Sequence, residues 1–120
     1  MKKLIIALFI LGIALPSFAG LKVKDVVGTW SYEIETEYET MTGVLTFEKD
    51  GDGLTGHVTS DAGDVIPMTK VEIRENNVLH FELEVDYNLL KADMTIDGKK
   101  YKGTIGSDGG DIPITGEKIE

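Results

Sequence analysis

Alternation of apolar and polar residues after residue 27 is the feature that most constrains the fold of this chain. Residues 30–35 read Trp-Ser-Tyr-Glu-Ile-Glu, and residues 79–84 read Leu-His-Phe-Glu-Leu-Glu. A period of two places successive side chains on opposite faces of a strand, so that one face is apolar and the other is solvated. Helical periodicity is nearly absent here. The pattern therefore predicts an all-β domain of strands with one buried face.

Short turn sequences divide this pattern into strands of similar length. Gly, Asn and Asp tolerate the positive φ angles that tight hairpins require. Such residues occupy 50–53, 61–64, 76–77, 97–98 and 108–111. Eight strands are predicted between and around them, at 30–38, 41–48, 54–60, 65–74, 79–86, 89–97, 100–107 and 111–118. Every connection can be a hairpin, which indicates an antiparallel up-and-down meander.

An internal repeat relates the first four predicted strands to the last four. A shift of 49 residues places 30–38 on 79–87, and a shift of 47 places Ser-Asp-Ala-Gly-Asp of 60–64 on Ser-Asp-Gly-Gly-Asp of 107–111. Two four-stranded repeats would each expose a sheet edge, whereas pairing the first strand with the eighth removes both edges. The sequence thus predicts an eight-stranded barrel built from two repeats. A two-sheet β-sandwich is the alternative.

The beginning of the chain has the pattern of a cleavable signal peptide. Lys2 and Lys3 precede an apolar run, and small residues at Ser17 and Ala19 indicate cleavage near Ala19-Gly20. We therefore expect a signal peptide at 1–19, a lead at 20–27 and a single β-barrel domain at 28–120. The predicted location is the periplasm or the outside of the cell.

Charge and composition exclude several classes of function. The chain has 12 Lys and Arg against 21 Asp and Glu, and loss of Lys2 and Lys3 leaves 10 against 21. Such a surface repels nucleic acid and anionic membranes, so neither is an expected partner after cleavage. With no cysteine, neither disulfides nor thiolate metal sites can form. His57 and His80 fall in outward phase and are predicted to be solvated surface residues.

A short motif at the start of the first strand carries a family resemblance. Gly28-Thr29-Trp30, preceded by the lead 24–27 and followed by an eight-strand meander, resembles the lipocalins and the wider calycin barrels. The resemblance implies an eight-stranded barrel in which Gly28 and Trp30 belong to the core of the closed end. It also implies an Arg near the end of the last strand over the Trp, and in this chain only Lys118 could take that place.

One convergent set of polar residues is expected at a single rim of the barrel. Alternate hairpins of a meander fall at the same end, so the turns near 39, 61–64, 87–88 and 108–111 share one rim. Tyr38 and Tyr87 are repeat mates in inward phase there. The candidate ligand-binding residues are Tyr38, Ser60, Asp64, Tyr87, Ser107 and Asp111. They could bind a polar or cationic ligand, or calcium. The alternative is that Asp and Gly only build the turns while Tyr caps the core.

These features favour an exported binding protein over an enzyme. The chain contains no glycine-rich phosphate loop and no nucleophile elbow, so no catalytic residue, cofactor or resident metal is predicted. The leading hypothesis is a non-enzymatic, lipocalin-like barrel that binds a small molecule or a partner at one rim. The alternative is an inhibitor-like interaction barrel of the periplasm without a small-molecule ligand. A barrel interior filled without a cavity by the aromatic side chains of Trp30, Tyr32, Phe47 and Phe81 would favour the interaction barrel. A cavity above roughly 300 Å³ that reaches the rim would favour the small molecule. The partner's identity and the oligomeric state stay open.

Overall fold

The computed structural model describes residues 20–107 and 110–119. One short helix precedes eight strands. The elements are α1 (Val23–Val26), β1 (Gly28–Glu35), β2 (Thr40–Asp50), β3 (Gly53–Ser60), β4 (Val65–Arg74), β5 (Val78–Val85), β6 (Asn88–Asp97), β7 (Lys100–Ser107) and β8 (Gly110–Glu117). The predicted signal peptide at 1–19, and Asp108 and Gly109 of the last hairpin, lie outside the described residues.

The eight strands form one closed antiparallel barrel. Each strand pairs with the next, and β8 returns to pair with β1. The predicted eight-stranded up-and-down barrel is thus confirmed, and the two-sheet sandwich is wrong because closure leaves no separate second sheet. The first and fifth strands end earlier than predicted, since β1 ends at Glu35 and β5 ends at Val85.

The up-and-down order gives the barrel two distinct ends. We call the end that carries α1 and the connections β2–β3, β4–β5 and β6–β7 the helix end. The opposite end, with the connections β1–β2, β3–β4, β5–β6 and β7–β8, is the far rim; its described residues are 35–41, 60–65, 84–89, 107 and 110–111. Two of the hairpins use consecutive residues of positive φ, Asn76-Asn77 at the helix end and Asp86-Tyr87 at the far rim.

Large side chains fill the barrel in its middle and toward the helix end. Trp30, Phe47 and Phe81 are at most 1% exposed, and the two Phe rings meet edge to face with centroids 6.0 Å apart. Burial of apolar area at this scale drives folding without disulfides. Toward the far rim the inward aliphatic residues are only partly buried, as at Val85 and Leu90.

Trp30 links the core to the helix. Its indole Nε1 donates a hydrogen bond of 2.9 Å to the Val26 carbonyl, and Val26 itself is fully buried. The ring also meets Tyr101 edge to face, with centroids 5.9 Å apart. A buried indole requires a hydrogen-bond acceptor, and α1 provides it from its last residue.

Two junctions of the barrel have short backbone ladders. Between β1 and β8 the register includes only Glu33 with Thr115 and Ile34 with Ile114, besides an isolated bridge from Trp30 to Lys118. Between β3 and β4 the register covers 57–59 against 65–67. We call the β1–β8 junction the seam, and it positions the site described below.

Strand registers are compatible with the predicted duplication, which itself stays a prediction. Trp30 pairs with Leu45, and 49 residues later Leu79 pairs with Met94. Between β2 and β3, Leu45 pairs with Val58, whereas Met94 pairs with Gly103 between β6 and β7. The two halves therefore share their first hairpin register, and the next junction is offset by two residues.

In residues 20–107 and 110–119, no helix has the length and apolar character needed to cross a membrane.

Candidate functional site

Both tyrosines expected to point inward at the far rim lie in solvent. Tyr38 is 93% exposed in the β1–β2 connection, and Tyr87 is 103% exposed in the β5–β6 turn. The inward phase predicted for them is wrong because both strands end before the tyrosines, at Glu35 and Val85. Beyond a strand end the alternation of sides no longer holds, and Tyr87 has a φ of 69°.

The remaining rim residues lie within the turns. The Ser60 hydroxyl accepts a 3.2 Å hydrogen bond from the Asp64 amide, and the Ser60 amide donates to the Asp64 carbonyl at 2.9 Å. Ser107 and Asp111 are exposed at the β7–β8 connection, where Asp111 pairs with Gly106. Ser60 and Asp64 thus build their turn, as the alternative reading held, and a ligand role for the rim set stays a prediction.

An open cleft of about 830 Å³ runs along the seam between the two ends of the barrel. It reaches Asp61 at the far rim and the β6–β7 turn at the helix end. Hydroxyl, carboxylate and ammonium groups line it together with two tyrosine rings. The lining residues are Ser31, Tyr32, Glu33, Thr42, Gly43, Asp61, Thr95, Asp97, Lys100, Tyr101, Lys102, Thr115, Gly116 and Glu117.

Side chains replace backbone pairing where the seam ladder is interrupted. The Ser31 hydroxyl accepts a 3.0 Å hydrogen bond from the Glu117 amide and donates to the Glu117 carbonyl at 3.3 Å. The Tyr101 hydroxyl donates to the Ser31 carbonyl at 2.7 Å. These bonds satisfy backbone groups that a regular ladder would otherwise pair, as buried polar groups require.

Two glycines let the tyrosine rings reach the seam. Tyr32 is the register partner of Gly43, and Tyr101 is the register partner of Gly116. A Cβ atom at Gly43 would lie 2.7 Å from the Tyr32 hydroxyl, and one at Gly116 would lie 2.7 Å from the Tyr101 hydroxyl. Any side chain at these positions would collide with a ring and, more closely still, with a backbone carbonyl, that of Thr59 at Gly43 and that of Ser31 at Gly116. An aromatic ring laid over a cross-strand glycine is also a device that bends barrel strands.

Burial and charge keep both phenols of the cleft protonated. Desolvation raises the pKa of Tyr32 above its usual value, and the nearby Asp61 carboxylate raises it further. Burial likewise raises the pKa of Tyr101, with a smaller contribution from Tyr32. Asp61 accepts a hydrogen bond from the Thr42 hydroxyl. The cleft therefore offers neutral hydroxyl groups over the whole physiological range of pH.

The charged groups of the cleft are of both signs with an acidic excess. Lys100 and Lys102 face four carboxylates, which belong to Glu33, Asp61, Asp97 and Glu117. Such a lining suits a polar molecule that is cationic or carries both charges.

On the outer face of β5, His80 is 3% exposed, so the prediction of a solvated histidine is wrong. Its Nδ1 lies 2.7 Å from an Asp93 carboxylate oxygen, and its Nε2 lies 2.7 Å from a Glu82 oxygen. Arg74 contacts Asp93 at 3.8 Å and Glu72 at 2.6 Å. Neighbouring strands thus bury the imidazole on the outside of the barrel. The sequence pattern predicted the correct face of the strand for His80 but not its burial by neighbouring side chains.

Metal-binding geometry is absent from the part of the chain that the structure describes. Within it, no group of three or more His, Asp or Glu side chains could hold a metal ion.

Structural comparison finds barrels that share the fold at low sequence identity, and neither a protein-family model nor a curated protein matches the sequence. A redesigned β-barrel aligns over 84% of this chain and 97% of its own with a TM-score of 0.65 and 16% identity. A second redesigned barrel, bound to DFHBI, aligns over 81% and 97% with a TM-score of 0.59 and 16% identity. The Schistosoma mansoni fatty acid binding protein in complex with arachidonic acid aligns over 83% and 100%, with a TM-score of 0.56 and 15% identity. The likeness therefore shows a shared fold, the closed eight-stranded antiparallel barrel.

Proposed function

We propose that this protein is an exported, non-enzymatic β-barrel that binds a small organic molecule in the seam cleft. The observation that carries the proposal is the cleft itself, with its volume of about 830 Å³ and its two tyrosine rings. Ligand sites in proteins commonly span about 300–1,000 Å³ and combine apolar walls with a few placed polar groups. Two of the similar barrels are described with a bound small molecule, DFHBI in one and arachidonic acid in the other.

The lining defines the class of ligand. Tyr32 and Tyr101 are 8% and 4% exposed and contribute a small apolar area to the lining, and their raised pKa values keep the hydroxyls uncharged. Because carboxylates outnumber the ammonium groups of Lys100 and Lys102, the cleft favours a cationic or zwitterionic molecule over an anion. A flat ring system with hydrogen-bonding substituents matches both features.

The proposal includes export of the protein and a role for the far rim in access to the cleft. The predicted signal peptide would deliver the barrel to the periplasm or beyond. Asp61, at the end of the cleft, belongs to the same turn as Ser60 and Asp64. Ser60 and Asp64 of the sequence-predicted rim set are thereby proposed as part of the entrance on the far-rim side, whereas Ser107 and Asp111 lie in the β7–β8 connection, across the rim from that turn.

Native mass spectrometry of protein purified from its source tests the proposal. The variant Thr95→Trp places a large ring in the cleft, because Thr95 is an exposed lining residue. Its control is Thr55→Trp, since Thr55 is exposed on β3 and absent from the lining. We expect a retained small molecule on the natural protein and on the control, and its loss from Thr95→Trp. Equal retention by all three proteins, or no retained molecule on any of them, would refute the site.

A further inference from the structure

We propose that the far rim is a docking surface for a second exported protein that presents a basic surface around an apolar patch. This surface shares Asp61 with the lining of the seam cleft, and the two proposals have different readouts: a crosslinked protein here, a retained small molecule there. Its central feature is a concentration of exposed apolar side chains.

Nearly all large apolar residues that the barrel leaves in solvent lie at this one end. Of the exposed large hydrophobic residues in the described chain, only Ile119 lies at the helix end. The others belong to the far rim, namely Tyr38, Met41, Val65, Tyr87 and Leu89. These residues are spread over three connections of the same rim, and exposed apolar residues gathered at one end of a soluble protein are typical of a surface that binds another protein. Tyrosine is also enriched in protein interfaces, where it adds contact area at low entropic cost.

Tyr87 has a strained backbone conformation, and burial within the barrel does not offset the strain. The two-residue turn Asp86-Tyr87 has φ angles of 53° and 69°. Turns of this geometry favour Asn and Gly, and Asn76-Asn77 makes the equivalent turn at the helix end with φ angles of 64° and 60°. A bulky aromatic residue there is strained. Because the ring is 103% exposed, it gains no burial within the barrel that would offset the strain. The compensating contact is therefore outside the monomer.

Tyr38 is presented by a turn that is already ordered. The Thr36 hydroxyl accepts hydrogen bonds from the Tyr38 amide at 3.2 Å and the Glu39 amide at 3.1 Å. The Thr36 amide also donates to the Glu39 carbonyl at 2.8 Å. Because these bonds already order the backbone of the turn, binding costs little further backbone entropy there, which lowers the entropic cost of association.

Charge identifies the kind of partner. The described residues of the far rim contain no Lys or Arg, while eight exposed acids surround the apolar residues: Glu35, Glu37, Glu39, Asp61, Asp64, Glu84, Asp86 and Asp111. Lysines such as Lys24, Lys49 and Lys99 lie at the helix end instead. A one-signed patch of this kind attracts a basic protein surface and repels anionic lipid and nucleic acid.

Site-specific photo-crosslinking provides the first arm of the test. A benzophenone amino acid replaces Tyr38 or Tyr87 in the full chain, with Thr55 and Ile119 as control positions on the barrel flank and at the helix end. The probe is the exported-protein fraction of the source organism. We expect one basic protein to crosslink from both tyrosine positions and from neither control. Equal crosslinking from the controls, or no adduct from the tyrosine positions, overturns the proposal.

Affinity measurements with the purified partner provide the second arm. The double variant Tyr38→Ser with Tyr87→Gly should weaken binding of the partner at least tenfold. The double variant Glu37→Gln with Asp86→Asn should reduce the salt dependence of the affinity. The control pair Glu48→Gln with Asp52→Asn, at the helix end, should leave the affinity and its salt dependence unchanged. Tyr87→Gly relieves the strained turn, so its melting temperature should not fall, and weaker binding is then not a folding defect. An unchanged affinity, or flotation with phosphatidylcholine vesicles that depends on both tyrosines, overturns the protein-partner proposal.

Discussion

The Lys118 ammonium lies 5.6 Å from the centroid of the Trp30 ring, at the bridge that joins the start of β1 to the residue after β8. A cation over an indole face is attracted by the ring quadrupole. Lys118 also donates a 3.5 Å hydrogen bond to the Asp25 carbonyl, within α1. A single side chain thus connects the helix, the buried Trp and the last strand.

Replacing Lys118 tests this connection. Lys118→Met keeps an apolar stem of similar length and removes the charge. We expect a loss of about 0.5–2 kcal/mol in the free energy of unfolding, the range for a partly desolvated cation–π contact. Urea unfolding measures the change. Lys70→Met, at an exposed position on β4, is the control and should stay within about 0.5 kcal/mol. If the two variants lose the same free energy of unfolding within error, the contact between Lys118 and Trp30 does not stabilise the fold.

Truncating Trp30 tests the core. Because its side chain is fully buried and bonded to the Val26 carbonyl, Trp30→Ala should cost about 3–5 kcal/mol. Guanidinium unfolding monitored by circular dichroism measures the effect. A cost below about 1 kcal/mol would be incompatible with burial of β1 in the barrel.

The Tyr101 hydroxyl holds the seam through its bond to the Ser31 carbonyl. Tyr101→Phe leaves that carbonyl without its partner, so we expect a cost of about 1–3 kcal/mol. Tyr38→Phe removes an exposed hydroxyl and should cost less than about 0.5 kcal/mol. Equal stabilities of the two variants would mean that the seam does not depend on this bond.

Alkaline pH gives a second readout of Tyr101. Burial raises the pKa of its phenol in the folded state, so its contribution to stability is complete below the unfolded pKa of about 10. That contribution is lost as pH rises above this value. Stability measured from pH 8 to 11 should decline less steeply for Tyr101→Phe than for the natural protein. Parallel declines would contradict burial of the phenol.

Acid stability reports on the buried His80. The hydrogen bond from its imidazole lowers the pKa of Glu82. A carboxyl of lowered pKa stabilises the fold above its unfolded pKa of about 4.3, and this stabilisation disappears as pH falls through the folded value. Glu82→Gln should therefore flatten the loss of stability between pH 5 and 2. Glu84→Gln, exposed on the same strand, is the control, and an identical acid profile for both variants would contradict the assignment.

The pair Asp64→Asn with Asp111→Asn separates turn building from ligand binding at the far rim. Asn serves the same turn roles as Asp, so stability should change by less than about 1 kcal/mol. If the rim binds calcium, the natural protein should melt later with added calcium, since ligand at 100 times its dissociation constant adds about 2.7 kcal/mol. The double variant should then lose that shift. A melting curve that calcium leaves unmoved eliminates a calcium site.

Local patterns were sufficient to predict the strands of this fold. Period-two alternation and Gly, Asn and Asp turns carry that information within a few residues. The same alternation misplaced Tyr38 and Tyr87, because the sequence pattern continues past Glu35 and Val85 while the strands do not.

Features that join distant parts of the chain could not be predicted this way. The seam cleft requires Tyr32 to lie beside Gly43 and Tyr101 beside Gly116, which follows only from strand register. Gly43 and Gly116 in inward phase were the available signal, since a strand glycine often marks a close approach of another group. Burial of His80 depends in the same way on Asp93 from the adjacent strand.

Amide NMR spectra of the labelled protein, titrated with the small molecule recovered from its source, test whether that molecule binds in the seam cleft. We predict that the largest shifts fall on cleft residues of both sides of the seam, including Gly43, Lys102 and Gly116, with Thr55 and the β4–β5 turn unmoved. The Thr95→Trp variant should show none of these shifts at the same concentration. Saturable shifts confined to residues outside the cleft, or shifts that persist in Thr95→Trp, would contradict binding in the seam cleft.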